Sequence, residues 1–259
     1  MKKILRYLFE LRFLPGVSAF LFNSETWLRL LPLKRFFKIV DPENKKRIID
    51  IGGGTGRLEL ALNRTDVFIY DTDEVSIDTA KQNFKNAISG NGDLSGFEDN
   101  SFDWAISVHT LEHIPGNERE KFLMEMIRIS KEGIFLNFPE GEYAEKVCLN
   151  FLDRLKKNGK EPNKWTVEHL EMGIPRIEGI VNILKRQKKF VIKYFSISNY
   201  NAVNFYWTNI RASKNIIKSF FLSPIISVIK YIRYKHKPTV EIIVVGSNAE
   251  ILNKFIEKL

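Results

Sequence analysis

The chain has a single cysteine, Cys148, among its 259 residues. One thiol excludes an intramolecular disulfide framework and fits a reducing compartment, so a cytoplasmic location is expected. A small buried residue on a helix is the ordinary role for such a cysteine. Histidine is scarce too, with four copies. With no close repeat of ligand types, they argue against a structural zinc site, and no metal is expected. Long apolar runs are also missing. A spanning helix needs about 20 nearly uncharged residues, and the best stretch, Ser219 to Ile229, is far shorter and stops at Lys230. The opening Met1-Lys2-Lys3 does not lead into a secretory signal, because Arg6, Glu10 and Arg12 break the apolar run and no small-residue cleavage site follows. An integral membrane protein is therefore not expected, although a membrane-peripheral one is compatible with the pattern.

What is present is apolar bulk and positive charge. An apolar fraction of 44%, with 20 Phe, supports a sizeable core in one large domain or a domain with an appendage. The formal charge of +9 is unevenly spread. Basic residues crowd the segment from Lys2 to Arg47, and they recur from Arg211 to Lys237 without one acidic residue. The expected organisation is a basic amphipathic extension over residues 1–46 and a main domain over 47–259, with a basic apolar insert at 197–238. The two basic blocks admit three readings: core packing with a solvated basic rim, an interfacial helix on an anionic membrane surface, or a nucleic-acid contact. No nucleic-acid motif accompanies the charge, which places that reading last.

From Arg47 to Phe138, short apolar runs alternate with helical segments, as in a parallel sheet covered by helices. Strands are expected at Arg47 to Ile51, Val67 to Tyr70, Ala87 to Ser89, Phe102 to Val108 and Gly133 to Phe138. Helices are expected at Arg57 to Asn63, Glu74 to Phe84 and Glu118 to Ser130. Beyond Pro139 come helices near Glu142 to Lys157 and Ile177 to Arg186, strands at Phe190 to Ser196 and Val240 to Val245, and a last helix at Ala249 to Lys258. Trp165 to Pro175 reads as a loop, because it ends in Gly173 and Pro175.

The sharpest local signal is Asp50-Ile51-Gly52-Gly53-Gly54-Thr55-Gly56 behind the first strand. Glycines there allow a tight turn and let the backbone approach a ligand, with the next helix aiming its amides at the same place. The dinucleotide frame G-x-G-x-x-G would put Arg57 at its third glycine, where close helix packing is needed. This disfavours a nicotinamide-dependent oxidoreductase. Gly52-x-Gly54-x-Gly56 is the frame that fits. Asp71 ends the second strand about 20 residues on, where an acid can accept both ribose hydroxyls. Asp73 suits the cap of the following helix, which leaves Asp71 for the ribose.

The glycine turn, the Gly92-Asp93-Leu94 step and the run Phe102-Asp103 through Leu111-Glu112-His113 resemble, in order, the motifs of class I S-adenosylmethionine-dependent methyltransferases of the type 11 kind. The resemblance covers roughly residues 45–140. It implies a Rossmann-like α/β fold of seven mostly parallel strands with helices on both faces, and Val240 to Val245 as the antiparallel strand. It implies S-adenosylmethionine as cofactor, held by Asp50, Gly52, Gly53, Gly54, Gly56, Asp71, Thr72, Asp93, Leu94 and Val108. Asp93 and Leu94 would face the adenine.

A methyl donor of this kind is already activated, so alignment and exclusion of water are most of the enzyme's task. A hydroxyl acceptor also needs somewhere for its proton to go. His109, just past the fourth strand, is the best-placed candidate base. The stretch Trp165-Thr166-Val167-Glu168-His169 with Gly173-Ile174-Pro175 is similar to a segment of methyltransferases that accompany glycan assembly, which makes His169 and Glu168 candidates for the acceptor pocket. The alternative is a loop anchored by Trp165. The expected acceptor is a small molecule, a glycan or a lipid-linked molecule, attacked at oxygen. A non-catalytic S-adenosylmethionine-binding module and a nucleic-acid methyltransferase are the other readings. The oligomeric state is not legible.

Overall fold

A computed structural model describes residues 30–90, 92–187, 190–198, 200–213 and 239–257. The expected interfacial helices, over residues 4–14 and 216–234, lie outside the described residues. Among those described, no helix is long and apolar enough to cross a membrane.

Seven strands form one sheet: β1 (Ile48–Ile51), β2 (Phe68–Asp71), β3 (Ala87–Ser89), β4 (Phe102–Val108), β5 (Ser130–Pro139), β6 (Val191–Ser196) and β7 (Val240–Gly246). Their order is β3-β2-β1-β4-β5-β7-β6, with β7 antiparallel to both its neighbours and the pairs among β1 to β5 parallel. This is the expected sheet, antiparallel strand included. The helices in chain order are α1 (30–40), α2 (Arg57–Leu62), α3 (Glu74–Lys81), α4 (Arg119–Ile129), α5 (Gly141–Lys157), α6 (Lys164–Met172), α7 (Ile177–Lys185), α8 (Tyr200–Phe205) and α9 (Ala249–Glu257).

The central strands are mostly apolar because both their faces are covered. Successive side chains point to opposite faces, and the core divides accordingly. Ile134, Leu136 and Phe138 of β5 join Leu123, Met126 and Leu184 on one face. Phe135, between them, joins Phe36, Trp104 and Phe255 on the other. Phe36 is fully buried there, with ring centroids 4.8 Å from Trp104, 5.1 Å from Phe255 and 5.4 Å from Phe135. So α1, drawn from the basic N-terminal segment, is an integral part of the core.

The strand order reverses direction at β1. The chain leaves β1 for β2 on one side, while β4 lies on the other, so the loops after β1 and β4 part and leave a crevice at their C-terminal ends. That crevice holds the site.

One expectation needs correction. Trp165 to Pro175 is not a loop, since most of it is α6. Asn163 caps the helix by accepting from the Thr166 amide at 3.0 Å and from its hydroxyl at 3.0 Å. Gly173, at φ 76°, ends it. The Gly and Pro that suggested a loop are the helix stop. The described part of the insert packs on α5: α8 runs into a π-helical turn, Tyr206–Arg211, whose Trp207 ring lies 4.9 Å from that of Phe151.

Candidate active site

The glycine turn begins as β1 ends, with the Gly52 amide donating to the Tyr70 carbonyl of β2 at 2.8 Å. The glycines in this turn have different reasons to be there. A Cβ on Gly52 would lie 2.1 Å from Thr110 Oγ1, at a φ of +78° that side chains rarely adopt. A Cβ on Gly54 would meet nothing nearer than Asp71 Oδ2 at 3.9 Å, so this face of the turn is open to the crevice. Gly56 faces inward, where a Cβ would lie 2.4 Å from the Phe84 ring. Gly56, expected to touch the cofactor, is not among the residues lining the cavity; it lets α2 close onto Phe84 and Ile69.

Asp71 is held in place by two backbone donors: Gly54 N–H to Oδ2 at 2.8 Å and Asp73 N–H to Oδ1 at 2.9 Å. Each oxygen keeps a lone pair for a further donor. Thr72, beside it, is exposed at the cavity rim. Asp73 occupies the N-cap position of α3, with its carboxylate accepting from the Ser76 hydroxyl at 2.6 Å. Asp50 is buried, and its Oδ1 has no hydrogen-bond partner among the described residues. Burial first, then the charge of Asp71, pushes its carboxyl well above the ordinary range. Beneath the turn, Glu59 is fully buried with neither carboxyl oxygen bonded among the described residues, and burial together with Asp50 drives it upward as well. The sequence reading missed Glu59, which stood out only as one polar residue in an apolar helix.

The Tyr70 hydroxyl organises the next wall. It donates to the Asp93 carbonyl at 3.0 Å and accepts from the Gly92 amide at 3.1 Å. Leu94 is buried under this loop, while Asp93 is exposed and accepts from the Ser95 amide at 2.9 Å. The bonds from Ser95 hold the Asp93 carboxyl below its usual range. Val108, at the end of β4, lines the same cavity as Asp93 and Leu94.

Across the crevice, His109 leaves β4 with φ 56° and its amide bound to the Asn137 carbonyl at 2.7 Å. A 3₁₀ turn, Leu111–His113, follows. His109 Nδ1 lies 3.0 Å from Oε1 of Glu112, which is fully buried. Burial opposes ionisation of Glu112, but His109, His169 and His113 together hold its carboxyl below the usual range. His113 Nε2 stands 3.2 Å from His169 Nε2 of α6, and His113 Nδ1 stands 3.3 Å from Glu168 Oε2. The Trp165 ring meets His113 edge-on at 5.4 Å.

Arg119 joins these two segments. Its buried guanidinium donates to the Leu111 carbonyl at 3.2 Å, to that of Ile114 at 3.0 Å, and to those of Met172 and Gly173 at the end of α6. His109, His113 and His169 were each visible in the sequence; Glu112, as their common partner, and Arg119 were not.

One cavity of about 1350 Å³ runs from Gly54 and Asp71 past Val108 to His109, Glu112 and His169. It therefore brings together every expected site residue except Gly56.

Residues 49–137 match a family model described as a methyltransferase domain. Among solved structures, a SAM-dependent methyltransferase from Thermotoga maritima, described as a possible histamine N-methyltransferase, is 18% identical, covering 96% of this chain and 100% of that one with a TM-score of 0.52. The magnesium protoporphyrin IX methyltransferase from Synechocystis, with bound SAH, is 12% identical over 95% of this chain and 99% of that one, with a TM-score of 0.54. The plantazolicin methyltransferase, also with SAH, is 11% identical with the same coverage and a TM-score of 0.54. At these identities the likeness is one of fold. No match was found among curated proteins.

Proposed function

We propose that this chain, which carries a class I S-adenosylmethionine-dependent methyltransferase domain, moves the methyl group to an oxygen of a small-molecule, glycan or lipid-linked acceptor. The observation that carries this reading is the single cavity, with a backbone-built cradle at one end and a histidine–carboxylate cluster at the other. Its volume of about 1350 Å³ exceeds the roughly 300–1,000 Å³ of an ordinary ligand pocket, which leaves room for an acceptor beside the cofactor.

The residues present fit S-adenosylmethionine. Gly54 opens a face without a side chain, Asp71 keeps an acceptor site on each oxygen for ribose hydroxyls, and Asp50 is a buried carboxyl with an unused oxygen. Asp93, Leu94 and Val108 line the same cavity, and Asp93 and Leu94 would read the adenine edge. An ammonium group brought close to Asp50 would ionise it, giving a buried charge pair instead of a neutral acid. When bound, the cofactor supplies a methyl on a positively charged sulfur, so that a new O–C bond replaces the S–C bond, the electron pair stays on sulfur and the acceptor's proton is released.

The other half of the cavity supports oxygen as the attacking atom. His109 and His169, expected from sequence as the catalytic candidates, flank the buried Glu112 within 4.0 Å. Such a cluster suits an acceptor that must shed a proton. Trp165, about half exposed beside His113, offers an apolar wall to a sugar or ring. We place the enzyme in the cytoplasm, at a membrane surface when the acceptor is lipid-linked. The test is turnover of methyl-labelled cofactor with panels of phenols, polyols and glycans. A methyl ether is expected, and unchanged turnover in His169→Ala would remove the acceptor-site assignment.

A further inference from the structure

Three of the chain's four histidines converge on one buried carboxylate. We infer that Glu112, His113 and His169 form a site for one divalent transition-metal ion, which holds the acceptor's hydroxyl oxygen in the cavity; this rests on reading the cavity as an oxygen-methylating site.

The three side chains are gathered closely enough to become a ligand set. One atom from each of the three residues lies within 4.8 Å of the others. Two nitrogens each about 2.1 Å from a common ion stand about 3.0–3.4 Å apart at right-angled to tetrahedral geometry. The two Nε2 atoms are 3.2 Å apart. Glu112 Oε1 is 4.0 Å from His169 Nε2, so a small closing movement completes the set.

Two neighbouring groups stand where partners of metal ligands are found. A ligating imidazole donates its other ring N–H to a carboxylate, and a ligating carboxylate is itself hydrogen-bonded. Glu168 Oε2 lies 3.3 Å from His113 Nδ1, within ion-pair reach, while His113 Nε2 faces His169 Nε2. His109 Nδ1, 3.0 Å from Glu112 Oε1, orients the carboxylate. A hydrogen-bonded cluster alone would leave Glu112 Oε2 wholly buried and without a hydrogen-bond partner among the described residues. Leaving such an oxygen unpaired costs free energy, which a cation held by the same carboxylate offsets through its charge.

Two imidazoles with one carboxylate select manganese, iron, cobalt or zinc over magnesium or calcium, which take mostly oxygen. Three protein ligands leave one position on a tetrahedral ion and two or three on a five- or six-coordinate one. His113 and His169 are partly exposed toward the cavity, so those positions are open to the acceptor. An acceptor with two neighbouring oxygens would fill two of them. A coordinated hydroxyl loses its proton far more readily than a free one, as bound water does when zinc lowers its pKa from 15.7 to about 7. The proton then leaves to solvent, with no separate general base needed.

The test uses the full chain, stripped with a chelator and titrated with Co²⁺ in the presence of S-adenosylhomocysteine, read by visible absorption and calorimetry. One Co²⁺ per chain is expected, with affinity falling about 100-fold in His169→Ala and in the size-conserving His169→Gln. S-adenosylhomocysteine affinity, measured on the same samples, reports that each variant is folded. No stoichiometric Co²⁺ in the wild type, or equal affinity in both folded variants, overturns the site. Methyl transfer to a hydroxyl that is indifferent to chelation overturns the metal and spares the oxygen reading. One bound Co²⁺ with transfer to nitrogen or carbon overturns the oxygen reading and spares the ion-binding assignment.

Discussion

The two ends of the cavity are built differently. The proposed cofactor end is made of backbone and short polar side chains, Asp50 to Gly54 and Asp71, joined by direct bonds such as Gly54 N–H to Asp71. The proposed acceptor end is made of long side chains from separate segments, His113 and His169 being 56 positions apart. A turn that depends on glycines has few sequences open to it, so it can be read in one dimension. A cluster assembled by helix docking can be read only once the docking is known.

The harshest way to break the first half is Gly52→Val. With a Cβ position 2.1 Å from Thr110 and φ at +78°, the substitution should cost about 3 kcal/mol or more and abolish S-adenosylhomocysteine binding, seen as a large fall in Tm and a flat calorimetric titration. Glu112→Gln strikes the other half alone. Turnover should fall about 100-fold, while S-adenosylhomocysteine affinity stays within about twofold. A parallel loss of cofactor affinity would show that the halves are not separate.

Arg119→Met sharpens the point without touching a proposed ligand. It removes the buried donors that tie the Leu111–His113 turn to the end of α6, so turnover should drop about tenfold and stability by about 2 kcal/mol, again with cofactor affinity retained. Smallest for either half is Glu241→Gln in β7. Burial pushes the Glu241 carboxyl up to about 7 in the folded chain, above its ordinary value of 4.5. A raised carboxyl contributes stability that is present below about pH 4.5 and lost as pH climbs through about 7. Denaturant melts at pH 5 and pH 8 should differ by roughly 1–3 kcal/mol less in Glu241→Gln, with both halves of the cavity unaffected.

The sheet was largely legible, because doubly covered strands have near-continuous apolar runs and β3 and β4 start and stop where the pattern does. β5 begins three residues earlier than expected, since Ser130 pairs with Phe102 before the irregularity at Trp104. That pairing leaves no mark on hydropathy. Gly56 looked like its fellow glycines, and only the approach of Phe84, 28 positions later, separates packing from ligand contact. α6 was misread because Gly173 and Pro175 mark both loops and helix ends. That error hid the acceptor end, since it is the helix that carries His169 to His113.

The most direct test of the oxygen-methyltransferase account is to supply S-adenosylmethionine carrying a ¹³C-methyl to the purified chain with hydroxyl acceptors and Mn²⁺, and to follow the carbon by NMR. The account predicts a new methoxy signal that grows with S-adenosylhomocysteine, is lost in Asp71→Ala and grows about 100-fold more slowly in Glu112→Gln. Labelled carbon appearing on nitrogen or carbon, or a methoxy signal unchanged in Glu112→Gln, would contradict it.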